Sequence, residues 1–520
     1  MQIHSRLGRA RPVVLLAVLL AVLLAALVGC GGGGGSALVP VPEVAPTATA
    51  QAQQCSPNNP YRADADAPTT LGTLADEKRW LRSYLDAAYL WYREIGSVDA
   101  TAPDYSDDTA LGLVDSIARY FDALLSPVIT ASGKYKDQFS FTYPTRDWNA
   151  LAQSGAALGF GIEWSMASST PPRSIRIALV EPGSPAASAG LQRGDTLIDI
   201  DGIAADDSTE AGADFLFSAL YSPPVGRSFA FTFSRQGSLL PVLQLSGAEI
   251  TRRPVLLTQV IDVGDQKVGY IVFNDHNVPA EAQLIAAIEQ LRVAGVSDLV
   301  LDLRYNGGGY LYIANELAYM IAGPARTGGK VFERLRFNDK RVSDNASGDT
   351  PFLDIACLPD ADFRCTSAQP LPTLNLARVH VLVGGSTCSA SESIINGLRG
   401  VDVEVRLIGN STCGKPYGFT AKDNCGISYF PIEFEGVNAK GFGDYADGFA
   451  PQCAADDDLS RALGDPAESR LATALHLRAT GSCPLPPATP LSAQPRAKAV
   501  EPMLLRPPVR ENRVLVPLQR

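Results

Sequence analysis

Short apolar runs alternate with amphipathic helical patterns through the second half of the chain. The runs have the length of buried strands, and between them apolar residues recur every three or four positions. Such an alternation indicates an α/β sheet. A polar stretch, residues 336–364, interrupts it and is predicted to be irregular. We predict strands at residues 268–273, 299–303, 379–383, 403–408 and around 426–434, and helices at 280–293, 311–321, 467–478 and one that ends at Gly400.

Two regions with other patterns precede this α/β region. Residues 75–140 carry aromatic and aliphatic side chains at spacings of three and four, which predicts a small helical domain; a segment that controls substrate access is the alternative. Residues 145–250 combine short strand patterns with turns rich in Gly and Pro. We therefore predict a multidomain α/β (α+β) protein with folded domains at 73–144, 145–250 and 251–483.

The N-terminus has the pattern of a targeting segment. Three arginines precede an apolar stretch at 13–28, and Leu27-Val28-Gly29-Cys30 resembles a bacterial lipobox. We predict a lipoprotein signal peptide over 1–30, lipid modification of Cys30, and anchoring in the bacterial cell envelope at the outer membrane. An ordinary signal peptide or a single membrane anchor is the alternative. Residues 31–72 and 484–520 lack periodicity and are predicted to be a disordered tether and a Pro-rich disordered tail.

The net charge and the cysteine content indicate which partners and which covalent links to expect. The net charge is −11 and no Lys/Arg-rich run is present, which argues against a nucleic-acid partner. Export would place the eight cysteines after Cys30 in an oxidising compartment, where disulfides form. Their spacing favours the pairs Cys357–Cys365, Cys413–Cys425 and Cys453–Cys483.

The candidate chemistry begins at a small-residue turn, 384–392, between a predicted strand and a predicted helix. Such a turn exposes a side chain, and the helix N-terminus offers N–H groups to a developing oxyanion. Ser389 is the candidate nucleophile. The neighbouring serines of the same segment are alternatives: Ser386, Ser391 and Ser393.

A serine nucleophile needs a base, and the sequence favours lysine over histidine. The histidines after residue 30, at 276, 380 and 476, have neither triad nor metal spacing, so we predict no metal site and no cofactor. Lys415 is the only cation of the stretch 409–420. Burial would lower its pKa towards neutrality and make it a candidate base.

Three motifs in combination resemble the C-terminal-processing (tail-specific) serine peptidases, which use a Ser/Lys dyad. They are Ser389-Ala390-Ser391-Glu392, Gly414-Lys415, and the Gly-rich turn within 302–309. The resemblance covers about 145–480 and extends to a lipoprotein branch of the family. It implies a crotonase/ClpP-like ββα core, with Ser389 as nucleophile, Lys415 as base, and the N–H groups of Gly308 and Ala390 as the oxyanion hole.

The 145–250 region resembles a PDZ domain of the bacterial protease type. Its Leu158-Gly159-Phe160-Gly161 element is similar to the loop that binds a terminal carboxylate, and the strand edge after it would pair with an extended peptide. The resemblance implies a lipid-anchored serine endopeptidase that acts near the C-termini of protein substrates. A catalytically inactive PDZ-peptidase scaffold is the alternative, and a crotonase-like acyl-CoA enzyme is a third class with the same core.

Two positions depart from the family pattern. Phe419 stands where other members have a Gln that orients the dyad. Cys388 stands where the family has a small Ala. We expect Cys388 either to bond another cysteine or to be a buried thiol, and a cysteine nucleophile is the lesser alternative.

Overall fold

The computed structural model describes residues 51–221, 223–224, 226–359, 365–485 and 503–505. The predicted signal peptide and its Cys30 lie outside these residues. Within the described ranges, no helix is both long and apolar enough to cross a membrane.

The N-terminal region contains helices, as the spacing of its apolar residues predicts. α1 begins after Thr73, whose hydroxyl accepts from the Asp76 N–H, while the Asp76 carboxylate accepts from the Thr73 N–H. The elements are β1 (Gln54–Cys55), β2 (Thr70–Leu71), α1 (Leu74–Ala88), α2 (Leu113–Ala123), β3 (Phe141–Pro144) and α3 (Thr145–Ser154).

The N-terminal helices share one apolar core with the end of the α/β region. The Trp80 ring of α1 lies 5.4 Å from the Tyr429 ring, and the Phe121 ring of α2 lies 6.0 Å from it. Ile427 and Ile432 belong to the same cluster. The helices are too few to bury their aromatic faces against each other, so they bury them against the α/β region.

The prediction of disorder over 31–72 is wrong for residues 51–72. Cys55 forms a disulfide with Cys425, and β1 pairs in parallel with β2. The Gln53 N–H also donates to Asn424 Oδ1 at 2.7 Å. The covalent link and these hydrogen bonds order a stretch whose composition alone indicates flexibility.

The middle region is a small β domain with a core of aromatic residues. Its elements are β4 (Ala156–Gly159), β5 (Ile162–Met166), β6 (Arg176–Val180), α4 (Pro185–Ser188), β7 (Thr196–Ile200), β8 (Ile203–Ala204), α5 (Glu210–Tyr221), β9 (Ser228–Arg235), β10 (Ser238–Leu239), β11 (Leu243–Ser246) and β12 (Ala248–Thr251). Its sheet contains the strand order β10-β9-β7-β6-β5, and the Phe160 ring packs at 5.1 Å from Phe231 inside the domain.

The α/β region follows the predicted alternation of strands and helices. Its first part comprises β13 (Val255–Val263), β14 (Gln266–Phe273), α6 (Ala280–Ala294), β15 (Asp298–Asp302), α7 (Leu311–Ala322), α8 (Pro324–Thr327), β16 (Val331–Phe337), α9 (Val342–Ala346), β17 (Asp349–Pro351), β18 (Ile355–Pro359) and β19 (Cys365–Pro370). Its second part comprises β20 (Arg378–Val383), α10 (Ala390–Gly400), β21 (Glu404–Gly409), β22 (Tyr417–Gly418), β23 (Lys422–Asn424), β24 (Ile427–Phe430), β25 (Phe434–Val437), β26 (Cys453–Ala454) and α11 (Ser469–Thr480). The prediction of a mixed α/β fold is confirmed.

The polar stretch 336–364 is more regular than its sequence indicates. It includes the end of β16, α9, β17 and β18, and β16 joins a sheet of order β17-β16-β25-β22. Ladder hydrogen bonds order the stretch: β16 pairs with β25, far along the chain, while β17 pairs with β16 and β18 pairs with β19. Local composition carries no signal of the long-range part of this pairing.

The main sheet has the order β13-β14-β15-β20-β21-β26, and every pair except β13–β14 is parallel. Helices α6, α7 and α10 pack on one face, while α11 packs on the other. Strands β15 and β20 are parallel neighbours, with Asp302 opposite Leu382. Their carboxyl ends therefore lie side by side, which brings the two turns that follow them together.

The tail contains one further strand, β27 (Met503–Leu505), which pairs antiparallel with β5. The prediction of disorder over 484–520 is therefore wrong for these three residues. The backbone of β5, at the end of its sheet, supplies the hydrogen bonds that a short apolar segment needs to become ordered.

Candidate active site

The turn after β20 holds Ser389 in a strained conformation at the start of α10. Its φ is 56° and its ψ is −119°, a region that non-glycine residues rarely adopt. Cys388 and Ala390 on either side are buried, whereas Ser389 is partly exposed. The turn thus leaves the Ser389 side chain partly exposed at the N-terminus of a helix, and Ser386 of the same turn is partly exposed as well.

The hydroxyl groups of the two other serines on α10 donate hydrogen bonds within the fold. Ser391 is fully buried and its hydroxyl donates to the carbonyl oxygen of Asn306 at 3.1 Å. The Ser393 hydroxyl donates to Glu333 Oε1 at 3.2 Å. These contacts favour Ser389 over both of them as the exposed nucleophile.

Glu392 joins the Ser389 turn to the loop that carries Lys415. One oxygen of its buried carboxylate accepts from the N–H groups of Ser389, at 3.1 Å, and Lys415, at 2.8 Å. The other accepts from the Gly414 N–H at 3.0 Å and from the Thr412 hydroxyl. Burial raises the pKa of Glu392, while these four donors act in the opposite direction.

Lys415 is buried, with 1% of its surface exposed. Among the described residues, its Nζ has no hydrogen-bond partner. Burial lowers the pKa of Lys415 to about 7, although the carboxylates of Asp137 and Glu392 act to raise it. A lysine with this pKa is partly neutral at pH 7 and can accept a proton.

Two aromatic rings surround the Lys415 amine and take the place of a polar orienting group. Nζ lies 4.0 Å from the Phe419 ring centroid and 5.4 Å from that of Phe139. Phe419 is itself held by Phe141 and Phe430, at centroid distances of 5.6 and 5.3 Å. The rings exclude water from the amine, and their faces still attract its protonated form.

The Gly-rich turn after β15 packs directly against the Ser389 turn. A Cβ atom on Gly308, whose φ is 99°, would lie 2.8 Å from the Ser389 Cβ and 3.0 Å from the Ala390 nitrogen. Only glycine permits this approach. The predicted oxyanion residues, Gly308 and Ala390, are thus neighbours of Ser389.

Asn306 fixes the conformation of the Gly-rich turn. Its Oδ1 accepts from the Gly308 N–H at 3.0 Å and lies 2.9 Å from His276 Nδ1, while its carbonyl oxygen accepts from the Cys388 N–H at 3.1 Å. One predicted oxyanion donor therefore has an internal partner in this state. His276 is buried behind the turn, and burial lowers its pKa to about 3, so it is neutral near pH 7.

A disulfide between Cys388 and Cys413 connects the two loops of the site. Cys388 precedes Ser389, and Cys413 lies two residues before Lys415. The expectation that Cys388 bonds another cysteine is confirmed, so its sulfur is not a free thiol nucleophile. Cys388, Cys413 and Glu392 have the spacing of metal ligands, but the disulfide leaves no thiolate to bind an ion.

The predicted disulfide pairs have different outcomes. Cys453–Cys483 is confirmed. Cys413–Cys425 is wrong, because Cys413 bonds Cys388 and Cys425 bonds Cys55. Spacing favoured the pair that is close in sequence, whereas the fold brings distant segments together. The side chains of the predicted pair Cys357–Cys365 lie outside the described residues.

We expect the double variant Cys388→Ala/Cys413→Ala to be less stable and, in addition, to have a lower kcat in its folded state. Loss of a loop constraint of this size costs about 3 kcal/mol. The variant Cys453→Ala/Cys483→Ala is a matched control, since its disulfide spans 30 residues against 25. Urea unfolding should show similar destabilisation of both, and only the first should lower kcat, by about tenfold or more. Equal kcat values in the two variants would show that the Cys388–Cys413 bond does not position the site.

The predicted carboxylate-binding loop lies between β4 and β5. Leu158 and Gly159 pair with β12, opposite Glu249 and Ala248. Phe160 is a core residue, and the Gly161 carbonyl oxygen accepts from the N–H of Glu181 at 2.8 Å. The structure thus places these residues at the start of the β5 edge.

Comparisons with known proteins match the two regions separately. Residues 267–422 match the model of Peptidase family S41, and residues 176–218 match a PDZ domain model. The chain is 27% identical over 252 residues to a carboxyl-terminal-processing protease of Picosynechococcus, covering 46% of this chain and 50% of that protein. It is 26% identical over 264 residues to the chloroplastic carboxyl-terminal-processing peptidase 2 of Arabidopsis thaliana, covering 47% of each. The chain spans about half the length of the curated relatives it matches.

A solved structure agrees on the fold. A Bacteroides fragilis protein assigned to the S41 proteases aligns with a TM-score of 0.56 and 24% identity, over 77% of this chain and 97% of that one. The matched regions relate this chain to PDZ-containing peptidases. More specifically, residues 267–422 are similar to the S41 peptidases, residues 176–218 are similar to PDZ domains, and the relatives named above are carboxyl-terminal-processing proteases.

Proposed function

We propose that the protein is an exported, lipid-anchored serine endopeptidase that cleaves protein substrates near their C-termini with a Ser389/Lys415 dyad. One observation carries the proposal. A partly exposed serine in a strained turn is tied, through Glu392 and a disulfide, to a fully buried lysine whose pKa is about 7. A lysine with a purely structural role at the surface would be exposed to water, whereas Lys415 is buried and enclosed by aromatic rings.

The proposed reaction uses neutral Lys415 as the base. Nζ takes the proton of the Ser389 hydroxyl as Oγ bonds to the carbonyl carbon of the scissile peptide, and the carbonyl electron pair moves to its oxygen. Collapse of this intermediate breaks the C–N bond, and the protonated Lys415 returns its proton to the leaving amine. Water then hydrolyses the acyl-enzyme with the same lysine as base.

The oxyanion of the intermediate needs donors close to Ser389. The Ala390 N–H, at the N-terminus of α10, and the Gly308 N–H are the proposed pair. Since the Gly308 N–H donates to Asn306 Oδ1 in the free chain, it must exchange this partner for the oxyanion when substrate binds.

The proposed setting is the bacterial cell envelope, with Cys30 as the lipid-modified residue. Disulfides that link distant segments, Cys55–Cys425 among them, support export because such bonds persist in oxidising compartments. The proposed partners are protein or peptide substrates with free C-termini, captured by the PDZ domain at Leu158–Gly161 and the adjacent β5 edge.

A serine-reactive fluorophosphonate probe tests the nucleophile directly. We expect one probe per chain, attached to Ser389, as located by peptide mass spectrometry. Prior incubation with an unstructured polypeptide that ends in a free carboxylate should slow labelling more than the same polypeptide with an amidated C-terminus. An unlabelled protein, or a label on Ser386, would contradict the proposed dyad.

A further inference from the structure

The last described strand of the chain occupies the edge of the PDZ domain. Met503, Leu504 and Leu505 of β27 lie antiparallel to β5, opposite Met166, Ser165 and Trp164 respectively. Without β27, β5 would be the final strand of its sheet, next to β6 alone. The tail therefore satisfies backbone groups that an edge strand leaves open.

This edge is also where a substrate peptide would pair. β5 begins directly after the Gly159–Gly161 turn, and peptide capture by strand addition uses the backbone N–H and C=O groups of the strand after that turn. One strand edge offers a single row of such groups. The tail strand and a substrate strand therefore cannot pair with β5 at the same time.

The tail strand also covers the seam between the PDZ domain and the peptidase domain. Leu504 is 5% exposed and packs in a cluster with Ala178 and Leu179 of β6 and with Tyr305 and Leu459 of the α/β region. Tyr305 precedes Asn306, which holds the Gly-rich turn. Leu504 thus joins both domains beside the residues that shape the candidate active site.

We propose that residues 503–505 are an internal ligand of the PDZ edge, which a substrate must displace before the PDZ domain can capture it. Leu505 is followed by Arg506, so the bound strand is an internal segment and not a chain end. The β5 edge accordingly recognises an extended apolar segment through its backbone, with a free carboxylate as a separate contribution. The statement that a protease substrate competes with the tail strand rests on the proposed function. The pairing of residues 503–505 with the β5 edge does not rest on it.

The test compares two substitutions in the full chain, both on a Ser389→Ala background that prevents cleavage. Leu504→Asp places a charge in the apolar seam, and Leu485→Asp changes a leucine that is 91% exposed. The probe is a fluorescein-labelled peptide with the sequence of residues 499–508, and its binding is measured by fluorescence anisotropy. Because a tethered competitor acts at an effective concentration near the millimolar range, we expect Leu504→Asp to bind the peptide about tenfold more tightly or better.

Equal affinities in the two variants, or no binding to either, would overturn the proposal. Hydrogen exchange gives a second measurement that needs no peptide: the amides of residues 162–166 should exchange faster in Leu504→Asp than in Leu485→Asp. Leu504→Ala serves the same comparison if the charged variant folds poorly. Both measurements use a chain without Ser389 and need no catalysis. They would therefore give the same result even if Ser389 were not the nucleophile of a peptidase.

Discussion

Replacing Lys415 with methionine should abolish most of the activity and at the same time stabilise the fold. Loss of a general base lowers kcat by about 10³-fold. Methionine fills a similar volume among Phe139 and Phe419 without a charge that must be desolvated. Lys422→Met, at a less buried lysine on β23, is the matched control and should change neither quantity appreciably.

The pH dependence of the native protein follows from the lowered pKa of Lys415. Activity requires the neutral amine, so kcat/KM should rise with pH through a midpoint near 7. The folded-state pKa lies below the unfolded value of 10.5, so the folded chain binds fewer protons between about 7 and 10.5. The free energy of unfolding therefore rises with pH across that window. Below about pH 7 the full cost of burying the protonated Lys415 destabilises the folded state.

Urea unfolding at several pH values checks the stability part of this prediction. Each unit of pKa corresponds to about 1.4 kcal/mol, so the penalty at pH 7 amounts to several kcal/mol. The free energy of unfolding of Lys415→Met should exceed that of the native protein most at pH 6–7, and the two should converge towards pH 10. A methionine variant that is less stable at pH 6.5, or one that keeps its kcat, would refute the role of Lys415 as a desolvated base.

Replacing Glu392 with glutamine should lower kcat by about 10²-fold, because the amide cannot accept all the hydrogen bonds that the carboxylate accepts. The side-chain NH₂ group would face two of the donors from Ser389, Thr412, Gly414 and Lys415. The Ser389 turn and the Lys415 loop, still joined by the Cys388–Cys413 disulfide, would then shift relative to each other, although neither proposed reacting side chain is altered.

A shift of the pH profile separates this positioning role from a general loss of structure. The Glu392 carboxylate acts to raise the pKa of Lys415, so its removal should move the midpoint of kcat/KM to lower pH. Glu404→Gln, at an exposed carboxylate on β21, should leave the midpoint unchanged. A midpoint that stays in place in Glu392→Gln, or kcat equal to that of Glu404→Gln, would argue that Glu392 is a structural residue only.

The sequence predicts those parts of the site that lie on regular elements. Buried strands and amphipathic helices are local patterns, so β15, β20 and α10 could be located from periodicity, and their parallel order brings the Gly308 and Ser389 turns together. The candidate roles of Ser389 and Lys415 depended on motif spacing and on the positions of the histidines, both of which are visible in one chain.

The surroundings of Lys415 could not be predicted, because they come from distant segments. Phe139 belongs to the N-terminal region, and no local pattern connects it with an amine far along the chain. Glu392 resembles an ordinary capping residue at the third position of a helix, and only the fold shows that it also binds the Gly414 and Lys415 N–H groups. Cysteine pairing failed at Cys413 for the same reason.

The enclosure of Lys415 by rings from both parts of the chain has a consequence for biosynthesis. A ribosome makes the chain from its N-terminus, so Phe139 emerges long before Phe419, and Cys425, the partner of Cys55, emerges later still. Until these segments meet, the amine is hydrated and remains protonated at neutral pH. A nascent chain therefore carries Ser389 without a neutral lysine until these segments meet, so under the proposed mechanism we expect it to be inactive while it is being made.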